Sequence, residues 1–143
     1  MKPITVGQRH TARYPVIERY TVPRLFEDDE HSRVMPQVLA TPYLVALVER
    51  ASTELIAGHL EGNEGSLGIS IELQHTSPTL VGMHVEIEIV CVAAEGRKLS
   101  FEFTARDEFA EIGKGRHDRA AVDWTRFEGK LDQVRQSIGQ VPQ

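Results

Sequence analysis

Residues 41–58 read TPYLVALVERASTELIAG, and their reading decides the fold. Thr41 is a favourable N-cap, because its hydroxyl can accept a bond from an orphan N–H of the first turn. Pro42 suits the first helical position, where its missing N–H costs nothing. Gly58 suits the left-handed residue that ends many helices. The spacing predicts a helix of about four to five turns. At about 100° per residue, Leu44, Leu47, Val48, Ala51 and Leu55 share one face, with Tyr43, Ala46, Arg50 and Ala57 roughly opposite. No charge occurs from Tyr43 to Val48, as expected of a helix that other elements surround. The first charge is Glu49, on the stripe of Val45, Ser52 and Ile56. A carboxylate among aliphatic side chains is costly unless it is paired, hydrogen-bonded or protonated. That singles out Glu49.

The flanking segments predict a sheet. Between residues 4 and 22, Tyr14 and Val16, then Tyr20 and Val22, alternate around Pro15, as in an edge strand that tolerates proline. Residues 27–36, EDDEHSRVMP, read as a charged loop before the helix, either a lid over the helix start or a solvated connection. After a glycine-bounded turn at residues 61–65, Ser66 to Thr76 alternates. Leu67, Ile69, Ile71, Leu73 and His75 point one way, and Gly68 and Ser70 the other. Met83, Val85, Ile87, Ile89 and Cys91 make a second apolar row. A turn at Glu95-Gly96 then leads into Leu99, Phe101, Phe103 and Ala105, an antiparallel hairpin. From Ile112 to Val122, Gly113, Gly115, His117 and Arg119 share a face, and the glycines leave room for a backbone or a ligand. Phe127, Leu131, Val134 and Ile138 recur at helical spacing, predicting a short amphipathic helix against the sheet. The expected class is α+β. An antiparallel sheet of about five strands wraps one long central helix, with a short C-terminal helix, in one domain spanning residues 1–143. Uncovered edges favour a dimer.

Composition narrows the function. The formal net charge of −5 argues against a general nucleic-acid binder, whose footprint is a basic face. A ligand with a few phosphates is compatible with it, since a local Arg and Lys cluster suffices. No apolar run approaches membrane-spanning length, and MKPITVGQRH at the start lacks a signal-peptide core. One cysteine, Cys91, cannot form an intrachain bridge, so a reducing compartment is the natural setting. The expectation is a soluble, cytoplasmic protein with neither nucleic-acid nor membrane partners. Six histidines show no metal-ligand spacing, and no glycine-rich phosphate loop occurs, so neither a metal nor a bound cofactor is expected.

Three polar groups are predicted to project inward: Thr41 at the helix start, Glu49 two turns along, and His75 at the end of a strand row. Hydroxyl, carboxylate and imidazole are the ingredients of hydrolytic chemistry. The helix N-terminus and the N–H of Gly68 are candidate donors to an oxyanion. Each residue also has a structural reading: Thr41 as a cap, Glu49 in an ion pair, His75 as a satisfied core residue. Arg119 either lines a ligand site or faces water.

The runs LATPYLVALVERA (39–51), EGNEGSLGISIELQHTSPTLVGMHV (61–85), EGRKLSFEFTARD (95–107) and EIGKGRHDRA (111–120) resemble the hotdog-fold thioesterases typified by fluoroacetyl-CoA thioesterase. The likeness extends from roughly residue 5 to residue 135. It implies a homodimer of hotdog subunits, with room for a dimer of dimers, that hydrolyses acyl-CoA at the subunit interface; coenzyme A is part of the substrate, not a cofactor. The family's catalytic threonine, glutamate and histidine fall on Thr41, Glu49 and His75. Its substrate-contacting glycine and arginine fall on Gly68 and Arg119. Its lid falls on the segment carrying Val34 and Met35. The fluoroacetyl-specific enzyme has phenylalanines there, whereas DDEHSRVMPQV (28–38) has no aromatic residue. The expected substrate is therefore a small acyl-CoA, with no fluorinated preference implied. The competing reading is a non-catalytic acyl-CoA-binding hotdog module.

Overall fold

The structure, a computed structural model, describes residues 1–139. Five strands form one antiparallel sheet: β1 (Arg9–Pro15), β2 (Glu64–His75), β3 (His84–Glu95), β4 (Lys98–Arg106) and β5 (Glu111–Asp123). Their spatial order is β1-β3-β4-β5-β2, which leaves β1 and β2 as the two edges. The long helix α2 (Thr41–Ala57) lies across one face; α1 (Glu30–Arg33) precedes it and α3 (Trp124–Gly139) ends the described chain. No helix among the described residues is long and apolar enough to cross a membrane.

Alternation accounts for the core. Val85, Ile87, Ile89 and Cys91 on β3, and Leu99, Phe101, Phe103 and Ala105 on β4, are buried against Leu44, Leu47, Val48, Ala51, Leu55 and Ile56 of α2. Each large aliphatic side chain so enclosed contributes roughly 1.5–3 kcal/mol. The hairpin between β3 and β4 turns at Gly96, whose φ of +61° is readily adopted only without a side chain. The stripe of α2 that includes Pro42, Ala46, Arg50 and Ala57 stays exposed, because one sheet covers only one side of a helix.

The ends of α2 differ from expectation. The N-cap is Ala40, and Thr41 is already helical. The N–H groups of Tyr43 and Leu44, which a Thr41 cap would have satisfied, bond instead to the carbonyl of Ala40 at 3.0 and 3.1 Å. That frees the Thr41 hydroxyl. At the other end Gly58 stays right-handed, with φ −68°. His59 N–H closes a tight turn onto the Ile56 carbonyl, and the left-handed reversal falls to Gly62, at φ +56°. In the first segment, β1 stops at Pro15, and Tyr20 and Val22 lie in short 3-10 turns. Pro23 is the second residue of the latter turn, in its first part, where a fixed φ is tolerated.

The largest correction concerns β2. Its pairing with β5 steps in register between Gly68 and Ser70, so Ile69 is the extra residue of a β-bulge. The unbroken alternation places Ile69 in the core, yet it is 54% exposed. The bulge reverses the facing of everything before it. Ser66 and Gly68 turn inward, while Ile71, Leu73 and His75 keep their inward row. Beside that row, Gly113 pairs with His75 and Gly115 with Leu73. A Cβ at Gly113 would sit 2.5 Å from the Gln74 carbonyl oxygen, and one at Gly115 would overlap that of Glu72. The room those glycines leave is filled by backbone.

The C-terminal helix is present but does not lie along the sheet. Trp124 covers Gly65 and meets Phe127 edge-on at 5.7 Å, whereas no residue of α3 is buried and Val134 and Ile138 stand in solvent. The helix begins where β5 runs out, so its later turns have no sheet beneath them. If the β2–β5 approach needs bare glycine, Gly115→Ala should cost about 2–3 kcal/mol and lower the thermal midpoint by roughly 5–10 °C. An unchanged midpoint in calorimetry would show that the strands can move apart.

Candidate functional site

The polar groups singled out in the sequence gather into two clusters along α2. The first sits at its N-terminus. Register with Gly113 at the end of β2 brings His75 to the helix start, where its Nδ1 is 2.9 Å from Thr41 Oγ1. Thr41 itself is exposed. His75 Nε2 is enclosed and has no hydrogen-bond partner among the described residues. Burial holds the His75 pKa below its ordinary value of 6.5, against an opposing hydrogen bond with the Ser77 backbone, so the ring is neutral near pH 7. A neutral imidazole can accept the Thr41 proton. At the adjoining helix N-terminus the Thr41 N–H, which has no backbone partner among the described residues, and the positive end of the helix dipole face a developing negative charge.

The second cluster lies two turns along. Glu49 is neither sealed among aliphatic neighbours nor unpaired: its side chain is 46% exposed, and Oε1 lies 3.5 Å from Arg119 Nη1. Arg119 does not face water. It is 5% exposed, its Nε donates to Ser66 Oγ at 3.0 Å, and its Nη2 donates to the Ser66 carbonyl at 3.0 Å. Burial presses the guanidinium below its ordinary pKa while Glu49 draws it back up, and it remains a cation. Gly68 forms the floor. A Cβ there would lie 2.5 Å from Glu49 Oε1, so the bare backbone is what lets the carboxylate reach this position.

No hydrogen bond or ion pair joins the two clusters among the described residues. Eight residues of helix separate Thr41 from Glu49, a rise of roughly 12 Å. Of the two lid residues, Val34 is 85% and Met35 48% exposed, just past an α1 turn capped by Asp29. Among the described residues no three His, Cys, Asp or Glu side chains gather into a metal site.

Ser66 and His117 belong to the second cluster and were not singled out beforehand. His117 is 2% exposed, and its ring touches both Arg119 and the space above Gly68. Its place on the Gly113–Arg119 face was visible in the alternation. Ser66 was hidden because an unbulged β2 turns it outward.

A five-stranded antiparallel sheet closed around one helix, with polar groups spaced along that helix, is the hotdog fold of thioesterases. A family model described as fluoroacetyl-CoA-specific thioesterase, FlK, matches residues 24–125. A fluoroacetyl-CoA thioesterase of Streptantibioticus cattleyicolor is 37% identical over 128 residues, which cover 90% of this chain and 92% of that protein. The solved fluoroacetyl-CoA thioesterase FlK superposes with a TM-score of 0.89 at 36% identity, covering 92% of this chain and 98% of that one. A Thermus thermophilus hypothetical protein of the thioesterase superfamily superposes with a TM-score of 0.89 at 26% identity, over 99% and 100% of the two chains. The chain belongs to the fluoroacetyl-CoA-specific thioesterase family.

The buried imidazoles carry a testable pH dependence. Both His75 and His117 are held below 6.5 by burial, whereas in the unfolded chain they titrate at about that value. Below it the unfolded chain binds more protons, so stability is fully present above about pH 6.5 and is lost as pH falls. The thermal midpoint should drop between about pH 7 and pH 5, and His75→Gln should make that slope shallower. A flat profile for the wild type over this window would contradict the burial of neutral rings.

Proposed function

We propose that the protein hydrolyses a small acyl-CoA thioester to the free acid and coenzyme A, at sites formed where two subunits of a homodimer meet. The observation that carries this reading is the pairing of two complementary half-sites on one helix: a hydroxyl–imidazole pair at its start and an arginine-steered carboxylate two turns on. Their backbone positions are roughly 12 Å apart along the helix, and among the described residues no hydrogen bond or ion pair links them within one chain. The open edge of β2 and the exposed stripe of α2 are where a second copy would dock. Two copies of β2 running antiparallel about a two-fold axis carry the partner's strand end toward this chain's Gly68. One subunit's Thr41 and His75 then face the other's Glu49. The lone cysteine, buried and free, suits a reducing cytoplasm.

The thioester carbonyl sits at the helix N-terminus of one subunit, its oxygen held by the Thr41 N–H there and by the N–H of Gly68 contributed, like Glu49, by the other subunit. Glu49 takes a proton from water as the water oxygen adds to the carbonyl carbon. The C–S bond breaks, and the proton returns to the departing sulfur by way of His75, which also orients Thr41. In the variant route a Glu49 oxygen adds to the carbonyl carbon, the C–S bond breaks and CoA thiolate departs to take up a proton, and water then cleaves the resulting anhydride to the free acid and the regenerated Glu49 carboxylate. Labelled solvent oxygen entering Glu49 in a single turnover supports the second route, and its absence counts against that route. The family's fluoroacetyl-specific enzyme carries phenylalanines in its lid, whereas Met35 is the bulkiest apolar residue here, so no strong preference for a fluorinated acyl group is expected.

The test is thiol release from a panel of short acyl-CoA esters. Glu49→Gln and His75→Ala should fold and lose about 10²-fold or more in kcat. Binding of CoA esters without thiol release from any of them would leave a sequestering module as the correct reading. Gly68→Ala is a sharper probe. Its Cβ clashes with the movable end of Glu49 and lies in ordinary contact with His117 and Arg119, so the midpoint should hardly change while kcat falls about 10²-fold through misplacement of the carboxylate. Wild-type kcat in that variant would exclude Glu49 from the reaction.

A further inference from the structure

We infer that His117 is a positioning residue for Glu49: it takes one hydrogen of Arg119 Nη1 and thereby directs the other at the carboxylate. The inference rests on Glu49 performing the chemistry proposed above.

Two contacts fix what the His117 ring must be. Nδ1 is 2.9 Å from the carbonyl oxygen of Ser70, beside the β2 bulge. A carbonyl only accepts, so Nδ1 carries a hydrogen. Nε2 is 3.3 Å from Arg119 Nη1. A guanidinium only donates, so Nε2 must present a lone pair. An imidazolium, with hydrogens on both nitrogens, fits neither the second contact nor the cation beside it. The ring is therefore the neutral Nδ1–H tautomer, held at both ends in a buried site.

Arg119 has little remaining freedom. Its Nε and Nη2 grip the hydroxyl and carbonyl of Ser66, which sets the guanidinium plane. Nη1 has two hydrogens and two neighbours: it is hydrogen-bonded to His117 Nε2 at 3.3 Å and ion-paired with Glu49 Oε1 at 3.5 Å. His117 also packs under the site, its Cε1 3.4 Å from where a Gly68 Cβ would stand. The charged groups acting on the ring are Arg119 and Asp118 of β5 and Glu49 of α2, with Phe101 opposite it on β4. Without the acceptor at Nε2, Nη1 loses a buried partner and its aim at Glu49.

Two substitutions separate aiming from space-filling. His117→Asn places an amide near Nδ1, keeping the Ser70 bond but offering Arg119 nothing. His117→Gln places a carbonyl near Nε2 and restores the acceptor. The expected result is that His117→Asn lowers kcat about tenfold or more with KM nearly unchanged, and that His117→Gln recovers most of it. Equal kcat in both variants, or a loss confined to KM, would overturn the inference. Nitrogen NMR of the unmutated protein near neutral pH supplies a reading free of folding defects. His117 must show a protonated Nδ1 and a bare Nε2; the opposite tautomer or an imidazolium would overturn the inference. Glu49→Gln run in parallel keeps the two readings apart. If that variant is active, the catalytic assignment fails; if it is dead while His117→Asn is unimpaired, only the role of His117 fails.

Discussion

One extra residue in an edge strand sets the chemistry of this molecule. A strand of strict period two can present either Ser66 and Gly68 or Leu73 and His75 to the helix, but not both. Ile69 breaks the period, and the cost is a bulky aliphatic side chain in solvent and one disrupted rung of the β2–β5 ladder. The gain is that the bare backbone at Gly68 faces Glu49 while the imidazole of His75 still reaches Thr41. Gly113 and Gly115 complete the arrangement by letting the β2 carbonyls approach more closely than any side chain allows. Bulges of this kind are devices for re-aiming side chains near active sites, and here both ends of one strand are aimed.

Electrostatics follows from that geometry. The inner face of β5 carries a cation, Arg119, almost wholly out of water, which is tolerable only because each guanidinium nitrogen has a partner. Neutral His117 accepts from that cation without adding charge. Glu49, half in solvent, is the one negative side chain among the described residues that pairs with the guanidinium. At the helix start the logic differs, since no charge is needed. A buried neutral ring meets a hydroxyl, and the dipole of a 17-residue helix stands behind them. In the function proposed above, a carboxylate beside a fixed cation and the positive end of a helix dipole are the complementary halves of a thioester site.

Much of this was legible in the residues themselves. The apolar stripe of Leu44, Leu47, Val48, Ala51 and Leu55 marks the central helix, and the rows ending at Cys91 and Ala105 mark the hairpin that wraps it. Burial of alternating residues is a local, additive signal. What could not be read is non-local. Whether Thr41 caps the helix depends on where the Ala40 carbonyl points, and the bulge at Ile69 is chosen by the partner strand. Glu49 was suspected because a carboxylate interrupts an apolar stripe, yet the cation that answers it lies seventy residues downstream on β5. The terminal helix had the right period for packing, but period says nothing about whether a sheet continues beneath it.

The claim on which the account turns is that one site draws Thr41 and His75 from one subunit and Glu49 from the other. Subunits carrying Thr41→Ala with His75→Ala, inactive alone, can be mixed and reassembled with subunits carrying Glu49→Gln, also inactive. If the halves come from different chains, each mixed dimer holds one intact site, and random pairing restores about a quarter of the wild-type thiol release. If a mixture in which mixed dimers are demonstrably formed stays as silent as its parents, the site lies within one chain and the account is wrong.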